Sequence, residues 1–466
     1  MIKGEIEVGS AAVRTAVAER LQRGSTLGAY ATARGVRYLF IEEGGIQVLS
    51  ARVDAGQPIA AVSGTCPGLS WDEREMADEF GIAFDALPDS RPFRPVNGEL
   101  APAVVATGPG VTQVVVGPVH AGIIEPGRFT FSSGGETIAH LDFQIGFSHR
   151  RLEKNFEGAD PLELAPRVAR VCGACSASRS LAYAMAVESI SDARIADPVQ
   201  IARQIVVELE RVYNHLFDLA VCCAAAGWGF GQAAGLGLKE RALRICHAAT
   251  GHRLLFDAIV PGGVRDGVLA DREQVQTLVV MLQESVEQYV GAIFDNSSLI
   301  ARWSETGTLT YDAARALAVV GPAHRASGGS LDVRDAAPYG AYRWLPIVAA
   351  REEGGDVLAR CRVKVAELRD SFRIIHRAFE RLGSDRLNSS AVIPPENGDS
   401  VTVVEGPRGA ETVALTVRGT VVERVHFISA SFRNWPAVAH ATTGNIVPDA
   451  PLVNKSFNLC YACADR

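Results

Sequence analysis

The sequence predicts an α+β protein in two parts: a small N-terminal α/β domain over residues 1–100, and a mostly helical domain with short strands over residues 101–466. Short alternating apolar segments near both ends are typical of strands. Long segments with an apolar residue every three or four positions are typical of helices and fill the middle. A stretch containing Pro88, Pro92 and Pro95 separates the two parts.

The N-terminal domain is predicted from two strands and a charged segment. The strands span residues 36–41 and 46–53, around turn-forming residues Glu42 to Gly45. The segment from Trp71 to Phe84 is typical of an amphipathic helix that ends at Gly81, because glycine readily adopts the left-handed conformation at a helix end. Since charged residues are frequent in this segment, we interpret it as a solvated helix.

The second domain begins with strands predicted at residues 111–116, 128–131 and 136–141. Pro198 to Ala220 gives the clearest helix, because Ile201, Ile205 and Leu209 fall on one face. Similar patterns predict helices at residues 272–293 and 357–382. Strands are predicted again at residues 401–405, 412–417 and 421–428, and we expect the last thirty residues to be irregular.

Charge and hydropathy exclude several classes. The net charge of −7, from 53 acidic and 46 basic residues, leaves no broad basic surface for nucleic acid or an anionic bilayer. The most apolar stretch, from Leu219 to Leu238, is rich in Ala, Gly and Cys, which favours a buried helix end and loop over a membrane span. The first residues lack the apolar core of a signal peptide, so we expect a cytoplasmic protein.

Two of the protein's cysteine groups have ligand spacing. Cys172 and Cys175 form one Cys-x-x-Cys pair, and Cys460 and Cys463 form another. Their separation is too large for a zinc ribbon. Four thiolates from such pairs suit zinc, nickel or an iron-sulfur cluster, so a structural zinc site stays open. The other five cysteines follow no ligand spacing and are interpreted as core residues: Cys66, Cys222, Cys223, Cys246 and Cys361.

Several motifs resemble one family over nearly the whole chain. Gly117-Pro-Val-His-Ala-Gly-Ile-Ile-Glu-Pro-Gly-Arg-Phe, Arg170-Val-Cys-Gly-Ala-Cys-Ser, Val404-Glu-Gly-Pro-Arg-Gly and Asn454-Lys-Ser-Phe-Asn-Leu-Cys-Tyr-Ala-Cys resemble the large subunit of membrane-associated nickel-iron (NiFe) hydrogenases of the formate hydrogenlyase or hydrogenase-4 type. That family shares its fold with the 49 kDa subunit of respiratory complex I. The segment Glu73-Arg-Glu-Met-Ala-Asp-Glu-Phe-Gly-Ile is similar to the complex I 30 kDa subunit.

The resemblance implies a nickel-iron centre whose iron carries CO and cyanide. It implies Cys172 and Cys460 as terminal nickel ligands, and Cys175 and Cys463 as bridging ligands. It matches Glu125 with a proton-relay glutamate. Arg408 matches an arginine above the metal pair, where a guanidinium offsets anionic charge. Pro407 would shape the side of the site on which this arginine lies.

Three departures from the family's pattern limit what the resemblance implies. Arg179 stands where a histidine is common, four positions after Cys175. Asn458 and Leu459 replace a common Asp-Pro, which removes a carboxylate near the site. The chain shows Arg466 where many members have a histidine that helps bind magnesium, which argues against magnesium, and a contact between Arg466 and Glu153 is an alternative.

A partner protein must carry electrons to or from this chain, because its sequence has no iron-sulfur ligation pattern beyond the two cysteine pairs. The resemblance implies an iron-sulfur small subunit, membrane subunits of a complex I-like arm and, as a further candidate, a formate dehydrogenase. It places the chain at the inner face of the cell membrane. Two alternatives stay open: a complex I-like quinone or NADH dehydrogenase-type subunit that retains the cysteines, and a non-catalytic assembly subunit with structural zinc.

Overall fold

The computed structural model describes residues 2–42, 45–53, 57–96, 99–120, 124–387 and 394–466, and the fold is α+β as predicted. Among the described residues up to position 96, the strands and α-helices are β1 (Ile2–Val8), α1 (Val13–Arg23), β2 (Gly24–Thr32), β3 (Gly35–Glu42), β4 (Gly45–Arg52), β5 (Ile59–Ala60), α2 (Ser70–Phe80) and β6 (Phe84–Asp85). The turn predicted between β3 and β4 includes residues 43–44, which lie outside the described residues.

The N-terminal sheet has the strand order β1-β4-β3-β2. Strand β1 pairs with β4 in parallel, and the other neighbours are antiparallel. Side chains alternate between its two faces, as the period of a strand requires. In β3, Tyr38 and Phe40 pack with Val13 and Val17 of α1, whereas Leu39 joins the core of the rest of the protein. The sheet is therefore covered on both faces.

Helix α2 ends at Gly81 in the left-handed conformation, as predicted, but the expectation that it is solvated was wrong. Its residues from Trp71 to Met76 are buried. The charges are paired by distant groups: Asp72 accepts a hydrogen bond from the main-chain N–H of Ala29 at 2.9 Å and pairs with the buried Arg433. Charged residues leave water at low cost only when they are paired in this way.

Two antiparallel three-stranded sheets belong to the remaining chain, with the orders β7-β8-β9 and β12-β13-β14. Their strands confirm the predicted segments and extend several of them: β7 (Val111–Val116), β8 (Arg128–Gly134), β9 (Thr137–Gln144), β12 (Asn397–Gly406), β13 (Gly409–Arg418) and β14 (Val421–Ile428). A small hairpin pairs β10 (Ile259–Val260) with β11 (Gly263–Val264).

The helical body surrounds one long buried helix, α6. Its helices are α3 (Leu152–Phe156), α4 (Ala165–Ala169), α5 (Ser176–Ile190), α6 (Asp197–Ala225), α7 (Gly229–Thr250), α8 (Arg272–Phe294), α9 (Ser297–Trp303), α10 (Tyr311–Ala316), α11 (Gly321–Ala326), α12 (Val333–Ala336) and α13 (Val357–Leu382). Helix α6 packs against α7 and α13. Since α6 ends at Ala225 and α7 begins at Gly229, the apolar stretch 219–238 is a helix end, a short loop and a helix start. Within the described ranges, no helix is long and apolar enough to cross a bilayer.

The last thirty residues are helical, so the expectation of irregular structure was wrong. They contain the end of α14 (Ala430–Thr442), then α15 (Ala450–Phe457) and α16 (Tyr461–Asp465). Local signals explain the boundaries: the Ser429 side chain caps α14, Asn458 ends α15 in the left-handed conformation, and the Cys460 sulfur caps α16. These caps are single residues without the apolar periodicity on which the prediction rested.

Candidate metal centre

The two Cys-x-x-Cys pairs meet in the interior and form a cluster, called here the cysteine cluster. Cys175 precedes α5 directly, and Cys172 lies in the turn before it. Cys460 precedes α16, whose first turn contains Cys463. The Sγ atoms of Cys172 and Cys460 are 3.3 Å apart, and those of Cys172, Cys460 and Cys463 lie within 4.8 Å of one another. Cys175 belongs to the same buried group, so the fold brings together all four cysteines that the sequence singled out.

Hydrogen bonds within this cluster make its four thiols unequal in their tendency to ionise. The main-chain N–H of Ala174 donates to Cys172 Sγ at 3.3 Å, and that of Cys463 donates to Cys460 Sγ at 3.4 Å. Hydrogen bonds between the thiols, that of Cys175 first, hold the pKa of Cys172 well below its ordinary value. The same contact with Cys172 raises the pKa of Cys175. Four adjacent thiols cannot all ionise without added positive charge, which a bound metal supplies.

Arg408 provides one fixed positive charge beside the cluster. Its Nη1 lies 3.8 Å from Cys175 Sγ and donates to Asn214 Oδ1 at 3.0 Å, while its Nε donates to the carbonyl of Asn458. Burial alone lowers the pKa of Arg408. The negative charge of nearby sulfur atoms, that of Cys175 most of all, raises it by a larger amount, so that the pKa lies above its ordinary value. Pro407 precedes it and lines a small cavity beside the guanidinium.

Arg179 provides a second positive charge, from the position where the family's pattern has a histidine. Its Nη2 donates to Glu411 Oε2 at 2.7 Å and to Cys463 Sγ at 3.4 Å. Its Nε and Nη1 have no hydrogen-bond partner among the described residues. Burial raises the pKa of Glu411 to about 7 despite this contact. The departure from the pattern therefore adds a buried cation at the cysteine cluster.

Sequence reasoning missed three polar residues near these arginines: Asn214 contacts Arg408, Glu411 contacts Arg179, and Asp218 reaches Arg408 through Asn458. Asn214 and Asp218 lie one turn apart on α6, and Glu411 lies on β13. Asn214 and Asp218 interrupt an apolar helix with buried polar groups, which was a usable signal. Glu411 follows Arg179 by 232 positions, and nothing local in the sequence connects them.

Glu125, the glutamate matched with a proton relay, lies at the surface. Its side chain is exposed, and it makes no hydrogen bond to any part of the chain that the structure describes. Residues 121–123 of the same motif lie outside the described residues. Glu125 is nevertheless close enough to Tyr461 to affect it. The pKa of Tyr461 lies above its ordinary value, mainly because the residue is buried and next because of the negative charge of Glu125.

The histidines in the matched segments have hydrogen-bond partners of their own. His120 Nε2 lies 3.2 Å from the Tyr461 hydroxyl. His149 Nδ1 lies 2.6 Å from the carbonyl of Asp465, and His215 Nε2 lies 3.0 Å from a carboxylate oxygen of Glu367. These contacts are those of structural hydrogen-bonding histidines.

Arg466 occupies a cluster of carboxylates at the end of α16. Its guanidinium lies 3.4 Å from Glu153 and also pairs with Glu75, so the contact with Glu153 considered from the sequence is present. Glu153 accepts a further hydrogen bond from the main-chain N–H of Phe427 at 2.8 Å. Because a guanidinium already neutralises these carboxylates, they do not fit an open magnesium site.

Comparisons with known proteins match both parts of the chain. Residues 232–396 and 387–466 match the family described as respiratory-chain NADH dehydrogenase, 49 Kd subunit, and together span just over half of the chain. Residues 15–99 match the family described as respiratory-chain NADH dehydrogenase, 30 Kd subunit.

Two similar proteins come from Escherichia coli (strain K12). Formate hydrogenlyase subunit 5 is 28% identical over 445 residues, which cover 89% of this chain and 78% of that protein. Hydrogenase-4 component G is 27% identical over 449 residues, which cover 90% of this chain and 78% of that protein. A solved chain of the membrane-bound sulfane sulfur reductase (MBS), an archaeal respiratory membrane complex, matches with a TM-score of 0.71 and 24% identity, over 77% of this chain and 99% of that chain. This last likeness shows the fold.

Proposed function

Because the chain belongs to the family of the 49 Kd subunit of respiratory-chain NADH dehydrogenase, with a 30 Kd-type segment before it, we propose that it is the catalytic large subunit of a membrane-associated nickel-iron hydrogenase. Its reaction is the interconversion of H2 with protons and electrons. The two segments are proposed to form domains that divide near residue 100. The observation that carries the proposal is the convergence of four thiols from two distant pairs.

The donor set of the cysteine cluster suits nickel and iron. Thiolates are soft ligands that prefer such metals, and the mutual suppression of ionisation described above calls for added positive charge. In this proposal Cys172 and Cys460 would serve as terminal nickel ligands and Cys175 and Cys463 as bridging ligands, and the iron would also carry CO and cyanide. When bound, this centre supplies the place where H2 is cleaved or formed.

The surrounding residues orient the reaction and move protons. Arg408 places a fixed guanidinium against the cluster, where hydrogen bonds and positive charge stabilise anionic groups, and Pro407 forms part of the same wall. Glu125 is the proposed proton relay, since its exposed carboxylate lies close to Tyr461 and is in contact with solvent. Tyr461 follows Cys460 directly, so this route approaches the cluster from the surface.

Electrons are proposed to leave through partner subunits. In the part of the chain that is described, the cysteine cluster is the one group of three or more potential ligands with closely spaced donor atoms. An iron-sulfur small subunit is therefore needed as electron carrier. We propose membrane subunits of a complex I-like arm as partners and a position on the cytoplasmic face of the cell membrane. A formate dehydrogenase is the proposed electron source, which the similarity to formate hydrogenlyase subunit 5 supports.

The family match itself favours a second candidate, a quinone or NADH dehydrogenase-type subunit that retains the cysteines. The four thiols also suit structural zinc in an assembly subunit. Metal analysis of the intact purified complex, combined with H2 uptake coupled to dye reduction, separates the three. Nickel near one atom per chain with H2 uptake supports the hydrogenase. Zinc without nickel supports the assembly subunit, and neither metal with quinone-dependent activity supports the second candidate.

A further inference from the structure

We propose that Asp218 is a positioning residue that holds Arg408 against the cysteine cluster. Its role in turnover rests on the proposed hydrogenase function, whereas its role in placing the guanidinium does not. Asp218 contacts none of the four cysteines, so it acts through other residues. The contacts run from Asp218 through Asn458 to Arg408, and Asn214, on the same face of α6 as Asp218, contacts the same guanidinium.

Asp218 is buried and firmly held. Its Oδ2 pairs with the Lys364 ammonium at 2.7 Å, and its Oδ1 accepts a hydrogen bond from the side-chain amide of Asn458. His215 Nδ1 lies 3.8 Å away. Burial alone raises the pKa of Asp218. The positive charge of Lys364 lowers it by a larger amount, so that the pKa lies well below its usual range. The carboxylate is therefore a permanent negative charge inside the protein.

Asn458 connects Asp218 to Arg408. It ends α15 with φ 49° and ψ 54°, in the left-handed region that asparagine tolerates better than most residues. Its main-chain carbonyl accepts the hydrogen bond from Arg408 Nε. The side chain of Asn458 is thus fixed by Asp218 while its carbonyl fixes the guanidinium. Loss of the first contact frees the backbone that makes the second.

A second contact fixes the same guanidinium from α6 directly. Asn214 Oδ1 accepts from Arg408 Nη1 at 3.0 Å, and Asn214 lies four residues before Asp218, on the same face of the helix. The amide of Asn214 also donates to the carbonyl of Ala174, within the first cysteine pair, at 2.9 Å. One face of α6 therefore sets the position of both Arg408 and the turn that holds Cys172 and Cys175.

Lys364 also donates to the carbonyl of Ser456 at 2.8 Å, so Asp218 contributes to the packing of α13 and α15 as well. A purely structural role predicts that loss of Asp218 lowers stability and leaves Arg408 where it is. The positioning role predicts that the guanidinium moves while the fold and the metal remain. These outcomes require a readout of Arg408 itself.

The first experiment determines the structure of the full chain with Asp218→Ala, and with Asp218→Asn in case the alanine variant does not fold. We expect the Arg408 guanidinium to leave its contacts with Cys175 and Asn214, more completely with alanine than with asparagine. The matched control is Asp370→Asn, a buried carboxylate on α13 that accepts from Val348 N at 3.0 Å and pairs with Arg373. An unmoved Arg408 in the foldable Asp218 variants would overturn the inference, with or without nickel in the protein.

The second experiment is a double-mutant cycle in the holoenzyme complex. Asp218→Asn and Arg408→Lys are each expected to lower kcat by about 10- to 100-fold, the scale for a misplaced catalytic group, with nickel content and KM for H2 unchanged. Because both act on one contact, the double variant should lose no more than Arg408→Lys alone. Fully additive losses would contradict the coupling, and an absence of nickel in the wild-type complex would contradict the proposed function instead.

Discussion

The guanidinium of Arg466 is hydrogen-bonded to the carboxylate of Glu75, a residue 391 positions earlier in the chain. Glu75 lies on α2 and also pairs with Arg94. Burial alone raises the pKa of Glu75. The nearby positive charges, that of Arg466 most of all, lower it by a larger amount, so that the pKa lies below its ordinary value. Because α16 carries Cys463, this pairing connects the N-terminal part of the chain to the cysteine cluster.

Replacing Arg466 should therefore destabilise the protein strongly. Arg466→Met leaves Glu75 and Glu153 buried without this partner, and loss of one member of a buried ion pair costs about 3–5 kcal/mol. Chemical denaturation would measure the change in the free energy of unfolding. Arg418→Met is the control, because its partner Asp399 is at the surface with side chains 45% and 40% exposed, and such pairs contribute less than about 1 kcal/mol. Equal losses in both variants would show that the Arg466 pairing is unimportant.

Cys460→Ser should abolish nickel binding and H2 turnover. A hydroxyl is a poor ligand for a soft metal, and Cys460 Sγ lies 3.3 Å from Cys172 Sγ. Nickel content by elemental analysis and dye-linked H2 uptake check the result. Cys246→Ser tests whether any buried thiol has this effect, since Cys246 is a buried free cysteine that is not a member of the cluster. Full nickel and activity in Cys460→Ser would remove this cysteine from the ligand set.

Glu125→Gln should separate metal binding from proton movement. Glutamine keeps the size and hydrogen-bonding ability of the side chain but cannot carry a proton, so nickel content should stay near that of the wild type while turnover falls by about 10²-fold or more. Since the side chain is exposed, stability should change by less than about 0.5 kcal/mol. A nickel-loaded variant with normal turnover would reject the relay role and leave the cysteine assignment untouched.

The protein's dependence on pH should include a contribution from Glu73. Burial raises the pKa of Glu73 from 4.5 to about 7, although the carboxylate accepts hydrogen bonds from the main-chain N–H groups of Val62 and Ser63. The folded state thus holds the proton more tightly than the unfolded state. The stability from this group is fully present below pH 4.5 and is lost as the pH rises to about 7, by an amount on the order of 3 kcal/mol.

Glu73→Gln should flatten this part of the pH profile. Urea unfolding at pH 5.5 and pH 8 would show the wild type losing more stability between the two pH values than the variant. Glu163→Gln, at an exposed position, should follow the wild type. Parallel profiles for wild type and Glu73→Gln would mean that Glu73 does not titrate in this range.

Much of the fold followed from apolar periodicity, as α6 and α13 illustrate. The burial of α2 did not, because charged residues predict a solvated helix unless their partners are known. Arg433 and Arg466, which neutralise Asp72 and Glu75, lie 361 and 391 positions away in the sequence. Local patterns contain no information about pairings at such distances.

The cysteines of the candidate site could be identified because their spacing is itself a signal. Arg179 could be noticed as a departure from a family pattern, but its partner Glu411 could not, since a single glutamate in an apolar strand has no distinctive spacing. Asn458 illustrates the same limit. The sequence indicated a missing carboxylate there, and only the packing of α15 on α6 shows that Asp218 reaches the amide of Asn458.

The separation of Cys172 and Cys460 by 288 positions in the sequence has a consequence for the unfolded chain. Any metal held by both pairs closes a loop through more than half of the polypeptide. Closing a loop of this length lowers the entropy of the unfolded chain as a disulfide would, by an amount worth on the order of 5 kcal/mol. A metal that stayed bound to both pairs would therefore act like a covalent cross-link, and its removal would make unfolding easier even where every protein contact is retained.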